Sequence, residues 1–214
     1  ERGSWIEMTV TKKDVLVIRI DQSSKIPATT FLRAMDERYG KTEDLIRMFY
    51  PTKKVKTKKL EPTMWAVGPV VNTETGEILV EAGAQLGDAV PMIQASLLDE
   101  VEVVTNVTDS LILNTLAEDA SESHEEALMK IYARLRPGNP AQIEKAKTLF
   151  NEKFYDKNRY RLGGVGRFRL NRKFGTDVSL QEMSLRPEDF LHTMKYILDL
   201  RAGKGEIDDI DHLG

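Results

Sequence analysis

The sequence predicts an α+β fold, a mixed lobe of hairpins and helices from which a variable subdomain protrudes. Three observations predict it. Strand-like runs (Val15 to Ile20, Val70-Val71 with Ile78 to Val80, Val101 to Val104) fall early and in the middle, while the longest stretches of helical spacing fall late. Segregated rather than alternating elements mark an α+β chain. A lysine run at 53–59 precedes a fresh hairpin. It reads as a linker or exposed edge, so that 60–108 forms a hairpin–helix–strand subdomain and 1–59 with 109–214 forms the lobe.

The elements follow in order. Residues 4–10 alternate loosely, Thr11 to Asp14 breaks the pattern, and Val15 to Ile20 resumes it, which together read as an antiparallel hairpin. Pro27 opens a helix carrying Phe31, Leu32 and Met35, and Thr42 is placed to cap a second with Leu45, Ile46, Met48 and Phe49 inward, halted at Pro51. In the subdomain, Asn72 to Gly76 turns a hairpin, followed by an apolar helix near 92–98 and a strand at 101–104. Ser123 and Glu126 have capping-box spacing before a helix with Leu128, Ile131, Tyr132 and Leu135 on one face. Asn139 with Pro140 reads as the start of the next, whose stripe is Ile143, Ala146, Phe150 and Phe154. From Lys157 to Lys173 there are seven basic residues, three glycines and no acid, an irregular basic segment. Pro187 opens the last helix, with Phe190, Leu191, Met194, Ile197 and Leu198 at helical spacing and Gly203 as its stop.

Composition narrows the function. Hydrophobic residues at 41% and charged residues at 30% over 214 positions describe a globular chain. The net charge of −3 offers no global basic field, so any nucleic-acid contact is local. With no cysteine, disulfides and cysteine-ligated zinc are excluded, and a reducing cytoplasm is the expected setting. No apolar stretch is long enough to span a bilayer. The chain starts with Glu1, and both ends read as cuts in a longer protein.

Two clusters carry candidate chemistry. Asp208, Asp209, Asp211 and His212 read either as a solvated acidic turn or, in a hydrolase using Asp209, Asp211 and His212, as a hard-cation site. Arg159, Arg161, Arg167, Arg169, Arg172 and Lys173, interleaved with Tyr160 and Phe168, combine phosphate-binding guanidiniums with stacking faces. A loop whose arginines pair with the acidic 118–126 stretch explains them as well. Gly163, Gly164 and Gly166 lack the following Lys-Ser/Thr of a phosphate loop, and no nucleophile elbow or Ser/His/Asp set is present. Trp5 is either a core anchor or a stacking platform.

Ordered blocks along the chain resemble the bacterial RNA polymerase beta-subunit lobe. They are Arg2-Gly3-Ser4-Trp5; Lys25-Ile26-Pro27-Ala28-Thr29 with Leu32-Arg33-Ala34-Met35; Leu135 to Pro140; Arg159-Tyr160-Arg161-Leu162; Val165-Gly166-Arg167; and Asp208 to Gly214. The resemblance implies a module flanking the DNA cleft with no catalytic residues of its own. It implies no cofactor in this segment, the polymerase magnesium being held by the other large subunit. Partners implied are the beta-prime and alpha subunits, sigma factor, DNA and transcription regulators, with no membrane. It also implies that Trp5 stacks on an unpaired non-template base, and that Ile210 and Asp211 help receive a flipped guanine, whose adjacent N–H donors suit a carboxylate. Arg159, Arg161, Arg167 and Arg169 complete the nucleic-acid-binding candidates. Two departures matter: Gln22-Ser23-Ser24 stand where relatives carry basic residues, and the chain stops before residues that complete the guanine pocket. An interaction scaffold for sigma or regulators, with little DNA contact, is the alternative role.

Overall fold

The computed structural model describes residues 5–156, 158 and 161–208. It has small antiparallel sheets and eight α-helices among the described residues, a mixed α+β architecture as the segregated patterning predicts. The chain falls into two compact units, one of Ile6–Gly138 and one of Glu1–Trp5 with Asn139–Gly214.

In the Ile6–Gly138 unit, β1 (Ile6–Val10) and β2 (Leu16–Ile20) form the first hairpin, with Ile6 opposite Ile20 and Met8 opposite Ile18. A short β3 (Ile26–Pro27) adds to the other edge of β2. Asp14, at φ 55°, takes the left-handed position that the tight reversal requires. Pro27 stays extended and α1 begins one residue later, as Ala28–Met35. Every α1 residue is buried, and the helix packs on α4 (Leu111–Glu118) and α5 (His124–Leu135).

Burial of Leu128 and Ile131 on α5 contributes about 1.5–3 kcal/mol each. The Ser123 hydroxyl accepts from the Glu126 amide at 3.2 Å, as the capping spacing predicts. The Glu126 carboxylate reaches the Glu122 amide instead of closing the box on Ser123.

Thr42 does not cap. It is the first residue of α2 (Thr42–Phe49), because its hydroxyl is already taken by the buried Arg33 guanidinium at 2.8 Å. Arg33 is the hub of this unit: it also donates to the Gly40 carbonyl at 2.9 Å and pairs with buried Asp119 at 3.1 Å. Asp119 accepts from the Thr29 and Thr30 hydroxyls at 2.8 Å each. Burial pulls the Arg33 pKa below arginine's ordinary value, against the opposing pull of Asp119.

Of the two readings of the lysine run, the structure shows the exposed edge and not the linker: Lys53–Lys56 is a strand and Thr57–Lys59 a single 3-10 turn. β4 (Lys53–Lys56) is an edge of a sheet ordered β4, β8 (Glu100–Val104), β5 (Trp65–Ala66). Val55 points into the core while Lys54 and Lys56 face Glu100, and a charged edge of this kind discourages strand addition. β6 (Val70–Val71) and β7 (Ile78–Val80) form the second hairpin, and the helix near Met92 is the short α3 (Val90–Gln94). Val55, Met64, Val70, Leu86, Ile93 and Val103 share one hydrophobic cluster. Residues from about 53 to 104 therefore have a core of their own inside this unit. Arg47 on α2 meets Glu102 on β8 through two hydrogen bonds, at 2.8 and 3.0 Å.

In the other unit, α6 (Ile143–Phe154) starts later than Asn139 suggests, because Gln142 is still extended at φ −132°, ψ 136°. Its stripe of Ala146, Phe150 and Phe154 is buried. The segment read as irregular contains a helix, α7 (Gly164–Phe174), closed by Gly175 at φ 66°. The last helix, α8 (Pro187–Arg201), begins where predicted, with the Asp189 carboxylate accepting from the Arg186 amide at 2.7 Å.

Candidate nucleic-acid interface

The sequence candidates divide into three groups. Trp5, directly before β1, is 68% exposed and belongs to the same unit as Asn139–Gly214. Burial is the default for tryptophan, so this ring is presented rather than consumed by a core. Arg159, Ile210 and Asp211 lie outside the described residues, as do Asp209 and His212 of the hydrolase alternative. No group of three His, Asp or Glu side chains suited to a metal ion occurs among the described residues.

The basic segment is the third group. α7 places Val165, Phe168, Arg169 and Arg172 at i, i+3, i+4 and i+7, and all four are exposed. Phe168 shows half its surface, and Arg161 is exposed just before the helix. One outward face thus carries an aromatic ring beside guanidiniums, a combination suited to phosphates and unpaired bases.

Arg167 does not belong on that face. It is completely buried, with Nη1 donating to Asp189 Oδ1 at 2.8 Å and Nη2 donating to the Ser184 carbonyl at 2.8 Å. A guanidinium so placed holds α7 to the first turn of α8 and reaches no phosphate. Within the acidic 118–126 stretch, Asp119 is buried and paired with Arg33.

Reasoning from sequence missed the cluster at the far end of α7. Lys173 Nζ donates to Asp208 Oδ2 at 2.7 Å and lies 4.3 Å from the centre of the Tyr196 ring. Burial alone lowers an ammonium pKa, but the hydrogen bond and charge of Asp208, helped by Tyr196, hold Lys173 above its ordinary value. Phe174 stacks on His192 with centroids 5.5 Å apart. The only signal for this arrangement was Gly175 as a helix stop, which places Lys173 in a last turn.

Comparison with known proteins gives a consistent picture. Residues 97–214 match the family model described as RNA polymerase Rpb2, domain 2. The whole chain aligns at 52% identity with the DNA-directed RNA polymerase subunit beta of Rhodopirellula baltica, covering 18% of that protein. It aligns at 36% with the subunit of the same name from Protochlamydia amoebophila, covering 18%, and at 31% with that of Citrifermentans bemidjiense, covering 20%. The chain therefore spans about a fifth of the length of these relatives.

Proposed function

This chain belongs to the RNA polymerase Rpb2 domain 2 family, as a segment of a bacterial DNA-directed RNA polymerase beta subunit, and from that premise we propose that it walls the DNA cleft and holds the unpaired non-template strand. In this reading Trp5 stacks on one unpaired base. Ile210 and Asp211 receive a flipped guanine, the carboxylate accepting from the donors on its Watson–Crick edge. Arg161 and Arg169 supply phosphate contacts beside Phe168, and Arg159 is a further phosphate-contact candidate. One contact is generic and one is selective, which is the division expected of a surface that grips a strand while reading one position.

The observation that carries the reading is the exposure of Trp5 in the same compact unit as α7 and the tail leading to Asp211. In this reading the chemistry of nucleotide transfer lies elsewhere, with the polymerase magnesium held by the other large subunit, and this chain's residues bind and orient. The segment by itself is expected to polymerise no nucleotides and hydrolyse no nucleoside triphosphates. Its partners in this reading are the beta-prime and alpha subunits, sigma factor and DNA, in the cytoplasm.

The test uses polymerase reassembled with the full-length beta subunit. Trp5→Ala weakens the hold on a single non-template strand by about 1–3 kcal/mol. Replacing Arg161 and Arg169 by alanine lowers the slope of log affinity against log salt by about one for each phosphate that is no longer neutralised. An interaction scaffold for sigma or regulators gives the opposite result: strand affinity and salt slope stay unchanged in all three variants, while binding of the protein partner falls.

A further inference from the structure

The subdomain core is not sealed where it meets α2. An open cleft of about 370 Å³ lies there, lined by α2, by β6 with the two residues before it, and by the start of β8. Its floor is apolar. Val70 and Val101 belong to the subdomain's hydrophobic cluster, and Leu98 packs against that cluster. Its rim is charged, with Glu43 and Arg47 from α2 facing Glu100 and Glu102 from β8. A cleft of this size lies at the small end of ligand-binding pockets.

Three of the four charges already have partners. Arg47 donates through Nε and Nη2 to the two Glu102 oxygens, and through Nη1 to Asp44 at 3.1 Å. Glu102 also accepts from Thr52 at 3.2 Å, and Glu100 stands 3.9 Å from both Lys54 and Lys56. Glu43 differs. Among the described residues its carboxylate takes no hydrogen bond and no ion pair, and Arg47 acts on it only through space. It lies directly over the backbone at Gly68, where a Cβ would come within 2.7 Å of Oε2. The φ of Gly68 is not positive, so the backbone does not demand glycine there; the bare position leaves room for the carboxylate. A place in the first turn of α2 suits a carboxylate to the helix dipole, but it does not account for this seat at the edge of a cleft.

We propose that the cleft is a docking site for an arginine side chain of a partner protein, with Glu43 as its acceptor and Val70 and Leu98 beneath its stem. Charge complementarity selects the occupant: the unpaired group is a carboxylate, which attracts a cation and repels phosphate. A guanidinium adds two features that an ammonium lacks, weakly hydrated flat faces that rest on apolar surface and a fork that meets a carboxylate two-fold. An exposed ion pair alone contributes little, so the apolar floor under the stem matters as much as the charge. The cleft belongs to the Ile6–Gly138 unit, whereas Trp5 and the basic face of α7 belong to the other, so this contact is separate from strand binding.

The experiment uses polymerase reassembled with the full-length beta subunit. The probes are short amidated peptides carrying arginine, lysine or citrulline beside a photoreactive leucine analogue. Crosslinked residues are mapped by mass spectrometry, and thermal stability is measured for each variant. The arginine peptide is expected to label 68–71 and 98–102, several-fold more than the lysine peptide or the uncharged citrulline peptide. Glu43→Gln abolishes that preference. Gly68→Ala keeps the charge but displaces the carboxylate, and it lowers arginine labelling several-fold. Glu77→Gln, an exposed glutamate outside the cleft, leaves labelling unchanged. Labelling absent from the cleft, or equal for arginine and either other peptide, overturns the proposal. So does full arginine preference in Glu43→Gln, and a lower melting temperature with it would assign Glu43 to α2 alone. Where Glu43→Gln itself fails to fold, undiminished arginine labelling in Gly68→Ala overturns the proposal instead. Spermidine displacing the arginine peptide as well as unlabelled peptide does would make this a site for small organic cations, and that too overturns it.

Discussion

Arg167 and Asp189 form a buried ion pair, Nη1 to Oδ1 at 2.8 Å, that ties the middle of α7 to the first turn of α8. The same carboxylate caps α8 through the Arg186 amide, so one aspartate serves two helices. Removing one partner leaves the charge of the other buried without its counter-charge. Arg167→Ala is therefore expected to lower stability by about 3–5 kcal/mol. Urea unfolding of the variant measures this, and its salt slope for DNA binding should match wild type once folded protein is compared. A reduced slope with unchanged stability would return Arg167 to the DNA-facing set.

Asp119 is the corresponding position in the other unit. It holds Arg33, Thr29 and Thr30 together between α1 and the start of α5, with side-chain exposure of 0%. Asp119→Ala strands a buried guanidinium and two buried hydroxyls, and it too should cost about 3–5 kcal/mol. Hydrogen exchange at α1 amides reports the loss directly, since α1 is the element this network surrounds.

The Arg47–Glu102 contact makes a pH prediction. Hydrogen bonds from Arg47 hold the Glu102 carboxyl below its ordinary 4.5, partly opposed by burial and aided by Thr52 and Lys54. A depressed folded-state pKa contributes stability above the unfolded value and loses it as pH falls through the folded one. Both side chains keep solvent contact, so the contribution is at most about 1 kcal/mol. Glu102→Gln should be slightly less stable than wild type at neutral pH. The gap in melting temperature should close as the pH drops below 4.5. A gap independent of pH would assign the effect to packing.

Trp5 gives a prediction about stability as well as binding. Because the ring is largely exposed, Trp5→Ala should keep the folding free energy within about 0.5 kcal/mol of wild type, as thermal unfolding measures it. A ring that serves as a core anchor would show a much larger drop.

Much of the fold is legible in the sequence, for physical reasons that differ by element. The β1–β2 hairpin is visible because alternation survives on both sides of a polar break, and α8 because Pro187 and its spaced apolar residues agree. Helix α7 is hidden: three glycines crowd its start and its central inward residue is Arg167, so no apolar stripe announces it. The misplaced caps at Thr42 and Asn139 share one cause, since a capping side chain works only where tertiary contacts leave it and the backbone free to do so. Thr42 is claimed by Arg33, and Gln142 is still extended, so the helix begins only at Ile143. Of the candidate site, residue type singled out Trp5 and the basic segment but left open whether the ring is buried and whether the arginines form a face. It did not separate Arg167 and Lys173 from Arg169 and Arg172, because which arginine or lysine turns inward depends on Asp189 and Asp208, far along the chain.

A module that reads one guanine while gripping the strand non-specifically must separate base preference from affinity. The affinity of reassembled polymerase for guanine against thymine at the selected position, in wild type and in Asp211→Ala, measures that separation. Asp211→Ala is expected to erase the guanine preference, leave thymine affinity nearly unchanged and keep the melting temperature. Equal loss for both bases, or a large fall in stability with the preference intact, would contradict the guanine reading.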